Sequence, residues 1–527
     1  MASHRWLLLL AATSVAATVA VACGDSDTSQ TVEATGLAQR IERVEAGMVP
    51  AVLVRGEPVA AKTIQGLMAE DGIPAASVAV LNEGRLEWAK GYGVTRVEGG
   101  ERVTSQTLFL AGQISQGVAA LGALHLVQEG LIDLDEDVNG KLTSWQIPAP
   151  SGDMSDAADP RTGGDSSIEQ SVPADTQVTL RRILSHTANL SVPYVLGYLP
   201  GEEIPTLLQI LAGESPATNA PVEVVRPRAN RPPYSVGGFI VLQQLVEDLT
   251  GQTYADFIHD AVLDPAGMDW SHHQQPLTEE LAARAASGYE PDGTVVPGRW
   301  RIYPELAAAG MWTTPSDLVR LVLAIQYAHA GGSRRDELTL TVPPELMAEV
   351  FTDQAPGRGL GFEIGGEGDW QHFRLEGHGN NYLSELFAYV SQGRGAIVMT
   401  SSSRGEALKS HILRAIAVEY GWPDLLPEEV DRIALSPDDL RQIEGRYALR
   451  TSTEWAVRLE GDRLLLETVS GGGESAVELV PVAEDLFVQT TFGTRYRVER
   501  TADGAVSGLT FNLNGRDLFT IERVGLP

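Results

Sequence analysis

The sequence predicts an α/β sandwich, in which helices flank an antiparallel sheet, followed by a small all-β meander or barrel. In the first part, helical runs alternate with strands that short turns join into hairpins, which favours an antiparallel sheet covered by helices. After residue 437 the helical periodicity stops, and short strands are separated by turn signals about every ten residues. The chain of 527 residues is long enough for both domains.

Composition and charge exclude several classes of protein. Hydrophobic residues make up 43% of the chain and charged residues 21%, which is typical of globular proteins rather than disordered ones. The 39 basic residues are outnumbered by 70 acidic ones, so the net charge is −31. A nucleic-acid-binding protein needs a basic surface to neutralise phosphates, so this balance excludes nucleic acid as a partner.

The N-terminus is typical of an export signal. An uncharged run over residues 6–22 follows Arg5, and its length of about 25 Å as a helix is short for a bilayer core of ~30 Å. Small residues precede Cys23, the only cysteine, so the site resembles a bacterial lipobox. We predict a signal peptide over 1–22, lipidation at Cys23 and a polar tether over 23–36. The alternative is an ordinary signal peptide with an incidental cysteine.

The predicted sandwich domain covers residues 37–425. A helical pattern, interrupted near Pro50 and Pro58, leads into a predicted β-hairpin over 76–92. A strongly apolar helix over 118–128 stops at Gly130. The remaining predicted elements of this domain are helices at 239–249, 255–263, 315–326 and 407–420, strands at 386–390 and 395–400, and a surface insertion rich in Pro, Gly, Ser and Asp at 148–175.

The predicted C-terminal β domain covers residues 437–527, and its sequence contains no motif that indicates a catalytic role. Its seven predicted strands lie at 456–459, 463–466, 476–482, 486–490, 496–500, 506–513 and 518–523.

Two patterns resemble metal-binding motifs, but each lacks a ligand that such a site needs. Residues 135–140 begin like a calcium loop, but the twelfth position is Gln146, whose neutral amide cannot supply the bidentate carboxylate. The adjacent His272 and His273 lack a third ligand in sequence, and we predict that they lie on a loop surface. We therefore predict no metal and no other cofactor.

Seven segments follow one another in the order and spacing of a known family. They are residues 103–109, 124–137 (LHLVQEGLIDLDED), 178–187 (VTLRRILSHT), 234–235, 263–268 (LDPAGM), 307–318 (AAAGMWTTPSDL) and 377–379. Together they resemble the serine β-lactamase-like family, the group of class C β-lactamases and D-alanyl-D-alanine carboxypeptidases with the penicillin-binding-protein fold. The resemblance implies an all-helical lobe beside the sheet, and the tail resembles a small β domain often appended to such proteins.

The resemblance also implies a serine hydrolase site. In that family a Ser-x-x-Lys pair opens a helix, the lysine activates the serine, and backbone N–H groups hold the oxyanion. Here Gln113 and Gln116 occupy the two positions. Neither an amide nucleophile nor an amide base is competent, and no Ser-x-x-Lys occurs anywhere in the chain. Ser115 lies ~200° around the helix from the nucleophile position and is predicted to point away from the cleft.

Other family positions are partly retained. Tyr234 matches the tyrosine of a Tyr-x-Asn motif whose asparagine is Val236, and Gly377-His378-Gly379 resembles the strand segment where the family carries Lys-Thr-Gly or His-x-Gly. We predict Tyr234, His378, Gly379 and Asn380 as ligand-binding residues, although a buried tyrosine closing a hydrogen bond is equally compatible. Three further positions are His186, predicted to be structural, Asn189 in place of a glycine, and Arg228-Ala229 in place of Pro-Gly.

These positions lead to two hypotheses. The favoured one is a pseudoenzyme: an exported lipoprotein, anchored to a membrane and facing the periplasm or cell envelope, that binds or scaffolds without catalysis. Its partner would be a peptidoglycan-type or other acyl-peptide or small-molecule ligand. The alternative is an active esterase, peptidase or β-lactamase-like hydrolase with a non-standard nucleophile, for instance Ser235 or a water activated by His378.

Overall fold

The computed structural model describes residues 25–148, 177–225, 234–332, 340–449, 454–469, 476–513 and 516–525. The predicted signal peptide, Cys23 and nearly all of the predicted insertion lie outside the described residues. The described helices are α1 (Asp25–Ala46), α2 (Ile64–Glu70), α3 (Ile114–Gln128), α4 (Leu180–Leu184), α5 (Leu207–Ala212), α6 (Gly237–Thr250), α7 (Tyr254–Ile258), α8 (Glu279–Arg284), α9 (Leu306–Ala309), α10 (Pro315–His329), α11 (Pro344–Val350), α12 (Glu406–Tyr420) and α13 (Pro437–Ile443).

Strands of the first domain form one large antiparallel sheet and two small ones. They are β1 (Val52–Val54), β2 (Ala75–Asn82), β3 (Arg85–Gly93), β4 (Phe109–Leu110), β5 (Trp312–Thr313), β6 (Glu363–Gly365), β7 (His372–His378), β8 (Leu383–Tyr389), β9 (Gly395–Thr400) and β10 (Glu428–Val430). The six-stranded sheet has the order β3-β2-β9-β8-β7-β6, and β4 pairs with β5. The predicted hairpin joins β2 to β3 through Glu83 and Gly84, whose φ values of 51° and 68° are typical of a tight hairpin turn.

Helices cover both faces of the six-stranded sheet, as the sandwich prediction requires. Successive residues of β2 point to opposite faces, because side chains alternate along a strand. Ala79 and Leu81 belong to the apolar core shared with α3 and α10, whereas Val78 and Val80 belong to the core beneath α12. Helices α3 to α7 and α9 supply most of the helical lobe, so the prediction of a sheet with an adjoining helical lobe is confirmed.

The C-terminal domain is a closed eight-stranded barrel in which each strand pairs with the next. Helix α13 packs Leu440 and Ile443 against its apolar interior. The sequence missed one strand, β11, because its four residues contain only Tyr447 as a strong strand former. The barrel strands are β11 (Gly445–Ala448), β12 (Glu454–Glu460), β13 (Arg463–Thr468), β14 (Val477–Ala483), β15 (Leu486–Gln489), β16 (Arg495–Arg500), β17 (Val506–Leu513) and β18 (Arg516–Gly525).

One expectation is corrected by the structure. The prediction of a surface position for His273 is wrong, because its side chain is buried against Tyr254. This burial could not be predicted from the polarity of the sequence. Residues 25–36 belong to helix α1, and Arg43 near the end of that helix pairs with Glu419 on α12 at 2.6 Å. The role of residues 23–36 as a tether stays a prediction.

A buried carboxyl group stands directly before α9, which packs between α3 and α6. Oε2 of Glu305 is buried and has no hydrogen-bond partner. Desolvation raises the pKa of Glu305 from 4.5 to about 7. The native state therefore keeps a proton on this carboxyl group at pH values where the unfolded chain has released it.

We expect Glu305→Gln to remove a pH-dependent loss of stability. In the wild type, the stability associated with the protonated Glu305 carboxyl group is fully present below pH 4.5. This stability is lost as the pH rises through about 7, the pKa of Glu305 in the folded protein. Between pH 4 and pH 8 the variant should therefore gain on the order of 3 kcal/mol in free energy of unfolding relative to wild type. Urea unfolding at both pH values measures this difference. Glu280→Gln, at an exposed position of α8, is the matched control; an equal response of the two variants would contradict the prediction.

Candidate functional site

A cavity of about 300 Å³ opens between the start of α3, the end of β7 and the loop that follows α4. It coincides with the cleft that the sequence motifs predicted. Its lining consists of Gln113, Gln116, Leu184, His186, Pro193, Tyr194, Tyr234, Arg358, Gly359, Gly361, Phe362, Glu363, Leu375, Glu376 and His378. The motif positions at the start of α3 and at the end of β7, Gln113, Gln116 and His378, therefore meet in one cavity.

Gln113 is fixed between two elements. The β4–β5 pair and a hydrogen bond from Ala111 N to Met311 O (2.8 Å) bring the chain to the start of α3. Gly112 has φ 56°, and a Cβ there would lie only 2.9 Å from the amide nitrogen of His378, so the close approach requires glycine. The amide of His378 then donates a hydrogen bond to Oε1 of Gln113 at 2.5 Å. The backbone N–H of His378 at the end of β7 is therefore already paired with the Gln113 carboxamide.

Gln116 is also bonded within the fold. Its side chain is buried, and its Oε1 accepts a hydrogen bond from the Tyr234 hydroxyl at 3.0 Å. Its Nε2 donates a longer bond, 3.4 Å, to the carbonyl of Ala308. Desolvation raises the pKa of the Tyr234 hydroxyl, although the Gln116 bond opposes that shift. Tyr234 therefore acts as a neutral donor toward Gln116.

His186 supports Tyr234 from behind. Its ring stacks on the Tyr234 ring at 4.2 Å, and its Nδ1–H donates to the carbonyl of Ser235 at 3.0 Å. Burial, aided by the charge of Arg358, lowers the pKa of His186 to about 3, so the ring is neutral. The prediction of a structural role agrees with these contacts. Asn189, which replaces the family's glycine in this loop, has φ 53°, a conformation that asparagine tolerates better than most residues.

The two nearby serines do not reach the cavity. Ser115 donates to the carbonyl of Gly112 at 2.6 Å and accepts from Met311 N, so the prediction that it points away from the cleft is confirmed. Ser235 donates to the carbonyl of Ser191 at 2.8 Å and accepts from Gly238 N. Both hydroxyls are buried and bonded to the backbone, which removes the geometric basis for Ser235 as a nucleophile.

The four predicted binding residues do not all line the cavity. Tyr234 and His378 do, and the His378 side chain is 52% exposed. Gly379 packs against Leu110 instead. Asn380, at φ 43°, donates from Nδ2 to the carbonyl of Leu196 at 2.7 Å and to the Tyr303 hydroxyl at 3.2 Å. Gly379 and Asn380 therefore shape the end of β7 from outside this lining, and ligand contact at these two residues stays a prediction.

Three charged residues of the cavity were missed by the sequence reasoning. Arg358 and Glu363 come from the segment before and within β6, where no family motif marks them. Glu376 lies two residues before His378 on β7, so strand alternation was a usable signal that both side chains share one face. Burial and the neighbouring charge of Glu376 leave the pKa of Glu363 raised, although Arg374 opposes the shift. Burial would also raise the pKa of Glu376, but nearby Lys409 and Arg374 lower it overall.

Comparison with known proteins agrees with this fold and cleft. The family model described as Beta-lactamase matches residues 60–419, more than half of the chain. The chain therefore belongs to the β-lactamase family, a family of serine hydrolases and penicillin-binding proteins. It is 26% identical over 263 residues to penicillin-binding protein 4 of Amycolatopsis lactamdurans, covering 48% of this chain and 60% of that protein. It is 23% identical over 260 residues to the teichoic acid D-alanine hydrolase of Staphylococcus aureus, covering 47% and 54%. The chain thus spans little more than half the length of these relatives.

Solved structures give the same fold. An octameric penicillin-binding protein homologue from Pyrococcus abyssi superposes with a TM-score of 0.55 at 20% identity, covering 86% of this chain and 97% of that one. A D-amino acid amidase from Ochrobactrum anthropi gives a TM-score of 0.52 at 17% identity, covering 72% and 99%. At these identities the similarity establishes the fold alone.

We expect Gln116 and Tyr234 to be energetically coupled. Tyr234→Phe leaves a buried amide oxygen without its donor, and Gln116→Met leaves the hydroxyl without its acceptor, so each should lower the free energy of unfolding by about 1–2 kcal/mol. The double variant should lose about 1 kcal/mol less than the sum. Chemical unfolding of the four proteins measures the cycle. Gln116→Met combined with Tyr420→Phe, whose hydroxyl bonds to Glu87, should be additive, and strict additivity in the first cycle would contradict the coupling.

Proposed function

We propose that this protein is a catalytically inactive member of its family that uses the cleft to bind a ligand. One observation carries the proposal: among the residues that the structure describes, no serine, threonine, cysteine or lysine lines the cavity. The positions of the nucleophile and its base hold Gln113 and Gln116, and both carboxamides are bonded to the protein's own backbone and side chains. Acyl transfer through this cleft has no conventional nucleophile to begin with.

The Tyr234 hydroxyl is poorly suited to replace the missing serine. Tyr234 donates its proton to Gln116, and its raised pKa makes a phenolate unfavourable at neutral pH. Gln116 cannot accept a proton as the family's lysine does. A nucleophile without an adjacent base is weak. The cleft is therefore suited to recognition rather than to covalent catalysis.

The cavity has the character of a small-ligand site. Its volume of about 300 Å³ is at the lower end of the usual range for ligand pockets, and apolar walls from Leu184, Phe362 and Leu375 surround a few charged and amide groups. The relatives named penicillin-binding protein and teichoic acid D-alanine hydrolase support a peptidoglycan-type or other acyl-peptide ligand. We propose such a ligand, held without acylation, for a binding or scaffolding role.

We further propose that the chain is an exported lipoprotein that faces the cell envelope or periplasm. The support is the apolar leader with a cysteine at position 23, together with the names of the relatives, which refer to penicillin binding and teichoic acid. In the part of the chain that the structure describes, no helix has the length and apolar character that a membrane span needs.

The purified protein should form no covalent adduct with a penicillin or a fluorophosphonate. The physical reason is that no serine, threonine, cysteine or lysine is found among the described residues lining the cavity. Intact-mass spectrometry after overnight incubation detects an adduct directly. Calorimetric titration with N-acetyl-D-alanyl-D-alanine on the same sample tests non-covalent binding. A stoichiometric mass increase that maps to the cleft would overturn the pseudoenzyme proposal.

The double variant Gln113→Ser, Gln116→Lys should acquire slow acylation by a reactive ester. It restores both reacting side chains on one helix face, with Tyr234 already beside position 116. Turnover should stay poor, because Val236 and Asn189 replace family residues and a misplacement of ~1 Å can cost ~100-fold. Each single variant is the matched control and should remain inert. Acylation of Gln116→Lys alone would show that another hydroxyl was already placed to react.

Cys23→Ser should release the protein from membranes into the soluble exported fraction. Lipid chains contribute ~0.8 kcal/mol for each buried CH₂, so their loss should be visible in detergent-free fractionation. Ser29→Ala, a few residues downstream, is the control and should leave membrane retention unchanged. Equal retention of the two variants would count against lipid anchoring at Cys23.

A further inference from the structure

The carboxamide of Gln113 uses only one of its two ends within the fold. Gln113 stands directly before α3, and its side chain makes no capping hydrogen bond to that helix. Its Oε1 accepts from the amide of His378 at 2.5 Å. Because an N–H donor requires an oxygen opposite it, Nε2 lies on the other side of the planar group. Nε2 has no hydrogen-bond partner among the described residues, so it is an unused donor at the cavity wall.

The second glutamine of the cavity has no such free end. Gln116 accepts from the Tyr234 hydroxyl through Oε1 and donates to the carbonyl of Ala308 through Nε2. Its side chain is buried, whereas Gln113 is partly exposed. The Tyr234 hydroxyl is also committed, because its proton points to Gln116. A ligand acceptor therefore finds a free carboxamide donor at position 113 and not at position 116.

The start of α3 adds a favourable electrostatic potential beside this donor. The amides of residues 114–116 donate to the carbonyls of residues 111–113 at 3.3, 3.0 and 2.9 Å, so the first turn is closed. The aligned peptide dipoles of this 15-residue helix leave a partial positive charge at its N-terminus. The helix end and the free N–H groups of Gln113 thus both favour an oxygen atom of a ligand.

The charges of the lining favour an uncharged oxygen over a carboxylate. Glu363 and Glu376 line the same cavity, with one guanidinium, that of Arg358. Arg374 pairs with Glu376 from outside the lining, but its nearest approach to Glu363 is 4.0 Å. A ligand carboxylate in this small cavity would be repelled by the less compensated carboxyl group of Glu363. The carbonyl oxygen of an amide avoids this repulsion and still accepts a hydrogen bond.

We propose that Gln113 anchors the ligand without a covalent bond, by donating from Nε2 to an uncharged carbonyl oxygen of a peptide. The inference rests on the proposed use of the cleft for ligand binding, and it names the residue and the ligand group that make the contact. Oε1 stays bonded to the amide of His378, so the donor is held in one orientation before the ligand arrives. Such preorganisation lowers the entropic cost of binding.

Gln113→Glu tests the anchor by changing one group of the side chain. A glutamate keeps an oxygen for the His378 amide but replaces the donor with a second acceptor. Calorimetric titration with N-acetyl-D-alanyl-D-alaninamide, which has no free carboxylate, should give an affinity about tenfold lower than that of the wild type. The wild type should bind this peptide amide roughly threefold more tightly than the free acid. Gln106→Glu, the same change at an exposed position outside the lining, is the matched control and should leave the affinity unchanged.

A second measurement follows the wild-type chain itself. In an NMR titration of the protein labelled with ¹⁵N in its glutamine side chains, the peptide amide should shift the Nε2 resonance of Gln113 more than that of Gln116. The spectra of Gln113→Glu and Gln116→Met identify the two resonances.

Three results would overturn the anchor: equal affinity of Gln113→Glu and wild type, tighter binding of the free acid, or an unmoved Gln113 resonance. If the wild type binds neither peptide, the carbonyl ligand is wrong and this inference falls, whereas the absence of acylation is unaffected. A covalent adduct in the acylation experiment would instead overturn the proposed function. The two failures are therefore distinguishable.

Discussion

The cleft depends on one close backbone contact, the approach of the chain before α3 to the end of β7. Only a glycine at position 112 permits it, since a Cβ there would lie within 3.0 Å of two amide nitrogens of the strand. That contact places the residue after it, Gln113, against the amide of His378. It also aligns α3 so that Gln116 meets Tyr234. In a catalytic relative the same approach would present a serine to backbone donors.

Each side of the sheet makes a different contribution to this cleft. The face toward α3 is apolar and fixes the helix with the two glutamines on a rigid layer. The face toward α12 carries a row of charges, in which Arg374 and Lys409 compensate Glu376 and Glu385. Because β7 alternates its side chains, it presents Leu375 to the first layer and Glu376 to the second. One strand therefore couples the packing of the helix to the electrostatics of the cavity.

The sequence predicted the regular elements better than the contacts between them. Strong periodicity located α3, α6, α10 and α12 to within a few residues, and turn signals located most barrel strands. The sequence could not reveal the parallel pairing of β1 with β10, since the two strands lie far apart in the chain and carry no complementary pattern. His273 was misplaced for a related reason: a histidine adjacent to another looks polar, yet tertiary packing buried it.

In the candidate site, too, the sequence predicted residues that belong to motifs but not residues that only the folding of the chain brings to the cavity. Gln113, Gln116, Tyr234 and His378 were found because family motifs fix their spacing, and all four reach the cavity. Arg358 and Glu363 carry no such motif, and only the folding of their segment against β7 brings them to it. Gly379 and Asn380 follow His378 in the chain but lie outside the cavity lining, and Asn380 donates instead to the carbonyl of Leu196. A motif thus predicts which positions meet, while the direction of each side chain depends on local backbone geometry.

The hydrogen bonds of the two glutamines explain how the fold accommodates these residues at positions 113 and 116. A lysine at position 116 would place an ammonium beside a buried carbonyl and a phenol, and its charge would need compensation. A glutamine of similar length keeps a hydrogen bond to each neighbour and carries no charge. At position 113 the longer carboxamide reaches a backbone amide at the strand end. Both glutamines therefore satisfy neighbouring polar groups of the protein, and the cleft keeps its shape around them.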